Sequence, residues 1–247
     1  MPEDVTALIR QAPLSFLGTV TRLGSARMTS VPADDRTAVV QVDQVLHAPD
    51  AFKRLAGSEV TVQLSGELDP PAVGEAAAFF TQGMVYGESL AVTEVGRLPA
   101  DAVQEHVALA ATSANAMPFS ALQRDIRDAD MVAHADDADA VVIGVVVSLE
   151  QADGFQPSEH APDWWRAQLD VAHVEQGEVP PGRLAVLYPN SLDFRWYKAP
   201  KPKASQEGMW ILHATSGDLS RQAPFQLLHP TDYQPVQKLD ALQAARR

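Results

Sequence analysis

Five short apolar segments occur in the first half of the chain and again, in the same order and with similar gaps, in the second. The first pair is Leu14-Ser-Phe-Leu-Gly-Thr-Val20 and Ala140-Val-Val-Ile-Gly-Val-Val-Val147, each a strand-forming run centred on a glycine, Gly18 or Gly144. The second pair alternates: Val40, Val42 and Val45 around Gln41, and Leu169, Val171 and Val174 around Asp170. A period of two buries one face of a strand. The third pair follows a glycine, with Gly57 ahead of Val60, Val62 and Leu64, and Gly182 ahead of Leu184, Val186 and Tyr188. The fourth opens at a Gly/Glu turn, Gly74-Glu75 or Glu207-Gly208, and runs into Ala78-Phe79-Phe80-Thr81 or Trp210-Ile211-Leu212-His213. Leu90-Ala91-Val92 and Phe225-Gln226-Leu227-Leu228 complete the sets. Self-similarity of this kind is the mark of duplicated units.

A five-stranded antiparallel sheet leaves edges exposed unless it closes on itself, so each set predicts a barrel. The fold class expected is mainly β: two tandem five-stranded OB or netrin-like barrels with a helical connector. The first barrel takes residues 1–98, including a short helix at Val5, Leu8 and Ile9. The connector takes 99–137. It carries one helical pattern at Val103, Val107 and Ala110, a break at Met117-Pro118, and a second helix at Leu122 and Ile126 behind a capping box of Ser120 and Gln123. The second barrel takes 138–247, ending in a helical tail at Leu239, Leu242 and Ala245.

The run Ala138-Asp139-Ala140-Val-Val-Ile-Gly-Val-Val146, the strand ending Val174-Glu-Gln-Gly177, Leu184-Ala-Val186 and Gln206-Glu-Gly-Met-Trp-Ile-Leu212 together resemble a netrin-like module, the OB-fold barrel also found in tissue inhibitors of metalloproteinases. The first half is similar more faintly. The resemblance implies a tandem of such OB-fold modules in a bacterial-type protein and a non-enzymatic binding role. Secreted members depend on an N-terminal cysteine and disulfides, and this chain has no cysteine, so protease inhibition does not carry over.

The missing thiols also exclude disulfides, thiolate zinc sites and iron–sulfur clusters. With 32 acidic against 19 basic side chains the net charge is −13, which repels phosphate backbones and anionic lipid at long range. The acidic Met1-Pro2-Glu3-Asp4 start lacks the basic and apolar regions of a secretory signal, and nowhere do about 18 apolar residues run together. The reading is a cytoplasmic protein without a membrane partner.

One segment departs from the acidic background. Within Asp193-Phe-Arg-Trp-Tyr-Lys-Ala-Pro-Lys-Pro-Lys203, Arg195, Lys198, Lys201 and Lys203 place four cations in nine residues without an acid. Phe194, Trp196 and Tyr197 lie among them. Trp, Tyr and Arg are the residues protein interfaces favour, so the expected partner is another protein, within a larger assembly. The alternative is single-stranded nucleic acid, with bases stacked on the aromatics and phosphates met by the cations, against the opposition of the net charge. A third possibility, a metal-dependent hydrolase, rests on Glu159, His160 and Asp163, which need a further ligand from elsewhere. His173 and His213 lie on strands that allow them to approach each other. The acidic run Asp125 to Asp139 lacks the glycine and closing glutamate of an EF-hand loop and reads as a solvated helix end. No nucleophile elbow, phosphate loop, dinucleotide fingerprint or H-E-x-x-H is present. The sequence therefore predicts a non-enzymatic interaction or scaffold module with no cofactor, bound through Phe194, Arg195, Trp196, Tyr197, Lys198, Lys201 and Lys203.

Overall fold

A computed structural model describes residues 5–87, 89–111, 117–154, 162–180 and 182–247, apart from the side chains at 84, 86 and 111. Its first unit contains helix α1 (Val5–Gln11) and strands β1 (Leu14–Leu23), β2 (Thr37–His47), β3 (Glu59–Gln63), β4 (Ala76–Tyr86) and β5 (Leu90–Pro99). Helices α2 (Gln104–Ala111) and α3 (Ser120–Asp136) follow. The second unit has β6 (Ala140–Gln151), β7 (Trp164–Gln176), β8 (Arg183–Pro189), β9 (Glu207–Ala214), β10 (Phe225–Gln226), β11 (Tyr233–Gln234) and α4 (Lys238–Ala245). Two compact units divide between Ile126 and Arg127, inside α3. None of the described helices is long and apolar enough to cross a membrane.

Each unit is a closed five-stranded OB-like barrel, and the two have one topology. In the first the cyclic order is β1-β2-β3-β5-β4, with β3 and β5 parallel and the other pairs antiparallel. In the second β6 pairs with β7 and β9, and the two-residue β10 closes the ring by running parallel to β8 and antiparallel to β9. The short β11 adds to the other part of β9, pairing Tyr233 with Trp210.

The duplication reaches the register itself. The β1–β2 ladder slips at Ser15/Phe16, Leu17/Gly18 and Val20/Arg22, and the β6–β7 ladder slips at Val141/Val142, Ile143/Gly144 and Val146/Ser148. Every slip in one barrel has its counterpart at the same offset in the other. Val20 exchanges backbone hydrogen bonds with Gly74 and Glu75, as Val146 does with Ser205 and Gln206. Slips of this kind add twist and bend a strand, which is how so few strands coil far enough to close. The central slip requires glycine. A Cβ on Gly18 would lie 2.6 Å from Val40 Cγ1 and 2.7 Å from the Gln41 carbonyl oxygen, and one on Gly144 2.7 Å from the Asp170 carbonyl oxygen.

Inside the first barrel pack Phe16, Val20, Val40, Val42, Val60, Val62, Phe79 and Val92. Inside the second are Val142, Val146, Leu169, Leu184, Val186, Trp210, Leu212 and Phe225, with Trp210 Nε1 donating to the Gly144 carbonyl at 3.0 Å. Part of each outer wall is also covered. On the first, Leu8, Ile9, Val103 and Phe119 pack on Leu46, Ala78, Phe80 and Leu98. On the second, Met131, Ala135 and Leu242 pack on Val141, Ile143, Met209 and Ile211. Strands apolar on both faces read as continuous runs, which explains why Ala140 to Val147 shows no alternation. The start of α3 differs from the expected capping box. Gln123 N–H bonds the Phe119 carbonyl, so Phe119 holds the cap position because its buried ring is stacked on Phe80 at 5.9 Å, and Ser120 falls in the first turn.

Gly18→Ala and Gly144→Ala should each cost about 1–3 kcal/mol, the range for overpacked sites. Gly66→Ala, where an added Cβ meets nothing within 4 Å, should stay within about 0.5 kcal/mol of wild type. Urea midpoints measure all three.

Candidate functional site

The cationic segment is the connection between β8 and β9, and its own backbone folds it. The Asp193 carbonyl accepts from the amides of Trp196 and Tyr197, both at 2.8 Å, and the Trp196 carbonyl accepts from Ala199 at 3.0 Å. The Asp193 side chain takes the Arg195 amide at 2.9 Å, the local bond that makes Asp a turn former. Lys203 N–H bonds Gln206 Oε1 at 2.8 Å.

This turn sorts the seven predicted residues into two sets. Trp196 and Lys201, both half-buried, make contacts within the unit. The Trp196 ring lies 6.2 Å from that of Trp164 on β7, and Lys201 Nζ donates to the carbonyls of Trp196 (2.9 Å) and Ala199 (2.8 Å). Burial pushes the Lys201 ammonium below its ordinary value. The other five are exposed: Arg195 lies over the Phe194 ring and Lys198 over the Tyr197 ring, each at 5.6 Å. Leu192 joins them and was missed in the sequence. It is 91% exposed, beside Phe194 at 72% and Tyr197 at 53%. Three large apolar side chains in six residues form a raised apolar and cationic surface. A lone leucine between Asn190-Ser191 and Asp193 was the available signal.

The corresponding β3–β4 connection, residues 64–75, is held differently and carries opposite charge. Arg36 Nη1 donates to the carbonyls of Ser65 and Leu68, Arg97 Nη2 to that of Asp69, and Glu94 Oε2 accepts from the Ser65 amide. Its ionisable groups are Glu67, Asp69 and Glu75, with no aromatic residue.

Near the first barrel's mouth a cavity of about 490 Å³ is lined by Arg27, Gly57, Glu59, Gly87 and Ser89 among others. OB barrels commonly take ligands on this side, but here Arg22 and Arg27 are paired with Glu59 at 3.0 and 3.5 Å. Burial pushes the Glu59 carboxyl up; hydrogen bonds from Arg22 and Thr21 and the charges of both arginines outweigh it and hold the group below its ordinary value. Glu59 offsets part of that positive charge, while both guanidinium side chains stay about half exposed, 47% and 51%.

Of the three residues behind the metal-hydrolase alternative, only Asp163 is among the described residues. Glu159 and His160 lie outside them, and Asp163 spends its oxygens on Gln151 Nε2 (2.8 Å) and Trp165 Nε1 (3.0 Å). Nor do His173 and His213 meet. His173 pairs with Glu175 at 3.2 Å, while His213 Nε2 is 3.3 Å from His134 Nε2 and 3.4 Å from Asp232 Oδ1. Five of the six aspartates in the acidic run are exposed, and several have partners across the unit: Asp128 pairs with Lys238, Asp136 with Arg246 at 2.7 Å, and Asp139 accepts from the Ala214 amide at 2.6 Å. His134, within that run, is 2.6 Å from Asp232 Oδ1. Ligand atoms of His134, His229 and Asp232 lie within 4.8 Å of one another.

No protein-family model matches the chain, and no curated protein matches it. Among solved structures it is similar to a murine DNA-binding protein bound with double-stranded DNA, at 10% identity over 89% of this chain and 96% of that chain, with a TM-score of 0.21. A score this low carries no argument.

The Glu59 pairs give a pH dependence of known sign. A carboxyl depressed in the folded state stabilises above its unfolded value, about 4.5, and that stability is lost as pH falls through the folded value. Glu59→Gln should lower stability at pH 7 by about 0.2–1 kcal/mol per screened pair, and the gap from wild type should shrink below pH 4.5, as read from urea unfolding at both pH values.

Proposed function

We propose that the chain is a non-enzymatic interaction module whose second barrel docks a protein partner through residues 192–203. The observation that carries this reading is the division of the β8–β9 connection: Trp196 and Lys201 hold the turn, and Leu192, Phe194, Arg195, Tyr197 and Lys198 are left outward. A preformed surface loses little side-chain and loop entropy on binding, and aromatic and arginine anchors carry much of the energy of protein interfaces. The complementary partner presents an apolar pocket rimmed with acids. The netrin-like reading of 138–212 fits a binding role of the same kind.

Exposed Phe194 and Tyr197 beside cations also favour a second reading, single-stranded nucleic acid, since aromatic platforms in OB barrels stack bases. Two observations weigh against it. One face of each ring is covered by Arg195 or Lys198, and the chain carries a net charge of −13.

Changing Phe194, Arg195, Tyr197 and Lys198 together to serine should leave the thermal transition in place and weaken binding of the captured partner at least about thirtyfold, the equivalent of one strong interface anchor of about 2 kcal/mol. Labelled single-stranded DNA and RNA should show no loop-dependent anisotropy change. Binding that falls steeply with salt and disappears in the variant would instead establish the nucleic-acid reading.

A further inference from the structure

Three polar side chains from distant parts of the second unit converge beside its barrel. His134 comes from α3, His213 from β9, and Asp232 from the turn ahead of β11. α3 lies there because Met131 and Ala135 pack on Met209 and Ile211, and the turn lies there because β11 pairs with β9. His134 Nε2, His213 Nε2 and Asp232 Oδ1 stand 2.6, 3.3 and 3.4 Å apart.

We propose that His134, His213 and Asp232 form a binding site for a divalent transition-metal ion of the zinc class. Tetrahedral zinc with bonds of about 2.0–2.1 Å places neighbouring ligand atoms about 3.3–3.4 Å apart. Two of the three separations already have that value. The third, between His134 and Asp232, is a hydrogen bond; it widens when the ion takes the proton's place, the His134 imidazole staying neutral with its proton on Nδ1 and any excess proton released to water. Imidazole nitrogen with carboxylate oxygen is a donor set suited to zinc and its neighbours rather than to Ca²⁺ or Mg²⁺.

The carboxylate is prepared for the role. Asp232 is fully buried, and its Oδ2 accepts from the amides of Leu228 (2.6 Å) and His229 (2.8 Å). That leaves Oδ1 aimed at the two imidazoles, the kind of outer support that orients metal ligands. The histidine side chains are 20% and 28% exposed, so an ion has an approach from solvent. His229 borders that approach, its ring 4.5 Å from that of His134, with Nδ1 accepting from the Thr231 amide at 3.2 Å. Three protein ligands leave a fourth coordination position, and a His229 nitrogen lies within 4.8 Å of the ligand atoms of His134 and Asp232.

The test is isothermal titration of the chelator-treated full-length chain with Zn²⁺, with Co²⁺ in parallel to read tetrahedral coordination from its visible absorption. One Zn²⁺ per chain is expected. Loss of a ligand should weaken binding by at least the roughly 10–100-fold that outer-shell partners command, so His213→Ala and, separately, His134→Ala should do so. His173→Ala, at an exposed histidine on β7, should bind as wild type. Circular dichroism confirms the fold of each variant, and two independent ligand variants guard against one failing to fold. Absence of binding, or wild-type affinity in a folded His213→Ala or His134→Ala chain, overturns the assignment.

Discussion

Closure of both barrels rests on one backbone contact, made twice. At Gly18 and at Gly144 the first strand of a unit presses against the second so closely that a methyl group would overlap the partner's backbone oxygen. The ladder slips at that point and twice more nearby, at matching positions in the two copies. The coiling that follows lets the fourth strand pair with the first and brings the fifth beside the third, so that β3–β5 and β8–β10 are the only parallel pairs among the described strands. The interior clusters and the covered outer walls depend on that closure.

The scaffold is duplicated and the connections are not. Between the third and fourth strands the first copy carries three acids and is pinned by Arg36 and Arg97 bonding to its carbonyls. The second carries aromatics and cations and is pinned by its own Lys201. In both, a buried or half-buried cation satisfies loop carbonyls that would otherwise point away from donors. The first copy draws that cation from the barrel and the second from the loop. Chemistry grafted onto a common fold in this way is where function is to be sought.

Much of the scaffold was legible because its signals are local. Gly18 and Gly144 stood at equivalent places in two apolar runs, and period-two alternation marked β2 and β7. The short helices at Val5 and at Leu239 followed from their spacing. What escaped depends on side-chain contacts. Phe119, not Ser120, caps α3 because its ring stacks on Phe80, 39 positions away in the chain. Trp196 and Lys201 read as partner-binding residues, and the sequence did not show that one also packs on Trp164 and the other bonds backbone carbonyls. The His134, His213 and Asp232 group draws on residues almost 100 positions apart, and a spacing search detects only neighbours. The segment behind the third-ranked metal alternative, 159–163, drew attention for that same local reason.

Docking through a preformed surface requires that the β8–β9 connection be folded before any partner arrives. Amide hydrogen exchange on the free protein tests this most directly, at the amides of Trp196, Tyr197 and Ala199, which bond the carbonyls of Asp193 and Trp196. Exchange slowed well below the rate of an unfolded chain at all three, and restored towards it when Lys201 is changed to alanine, is the predicted result. Exchange at the unfolded rate in the wild-type protein would contradict it, because the outward aromatics would then have no fixed surface to form.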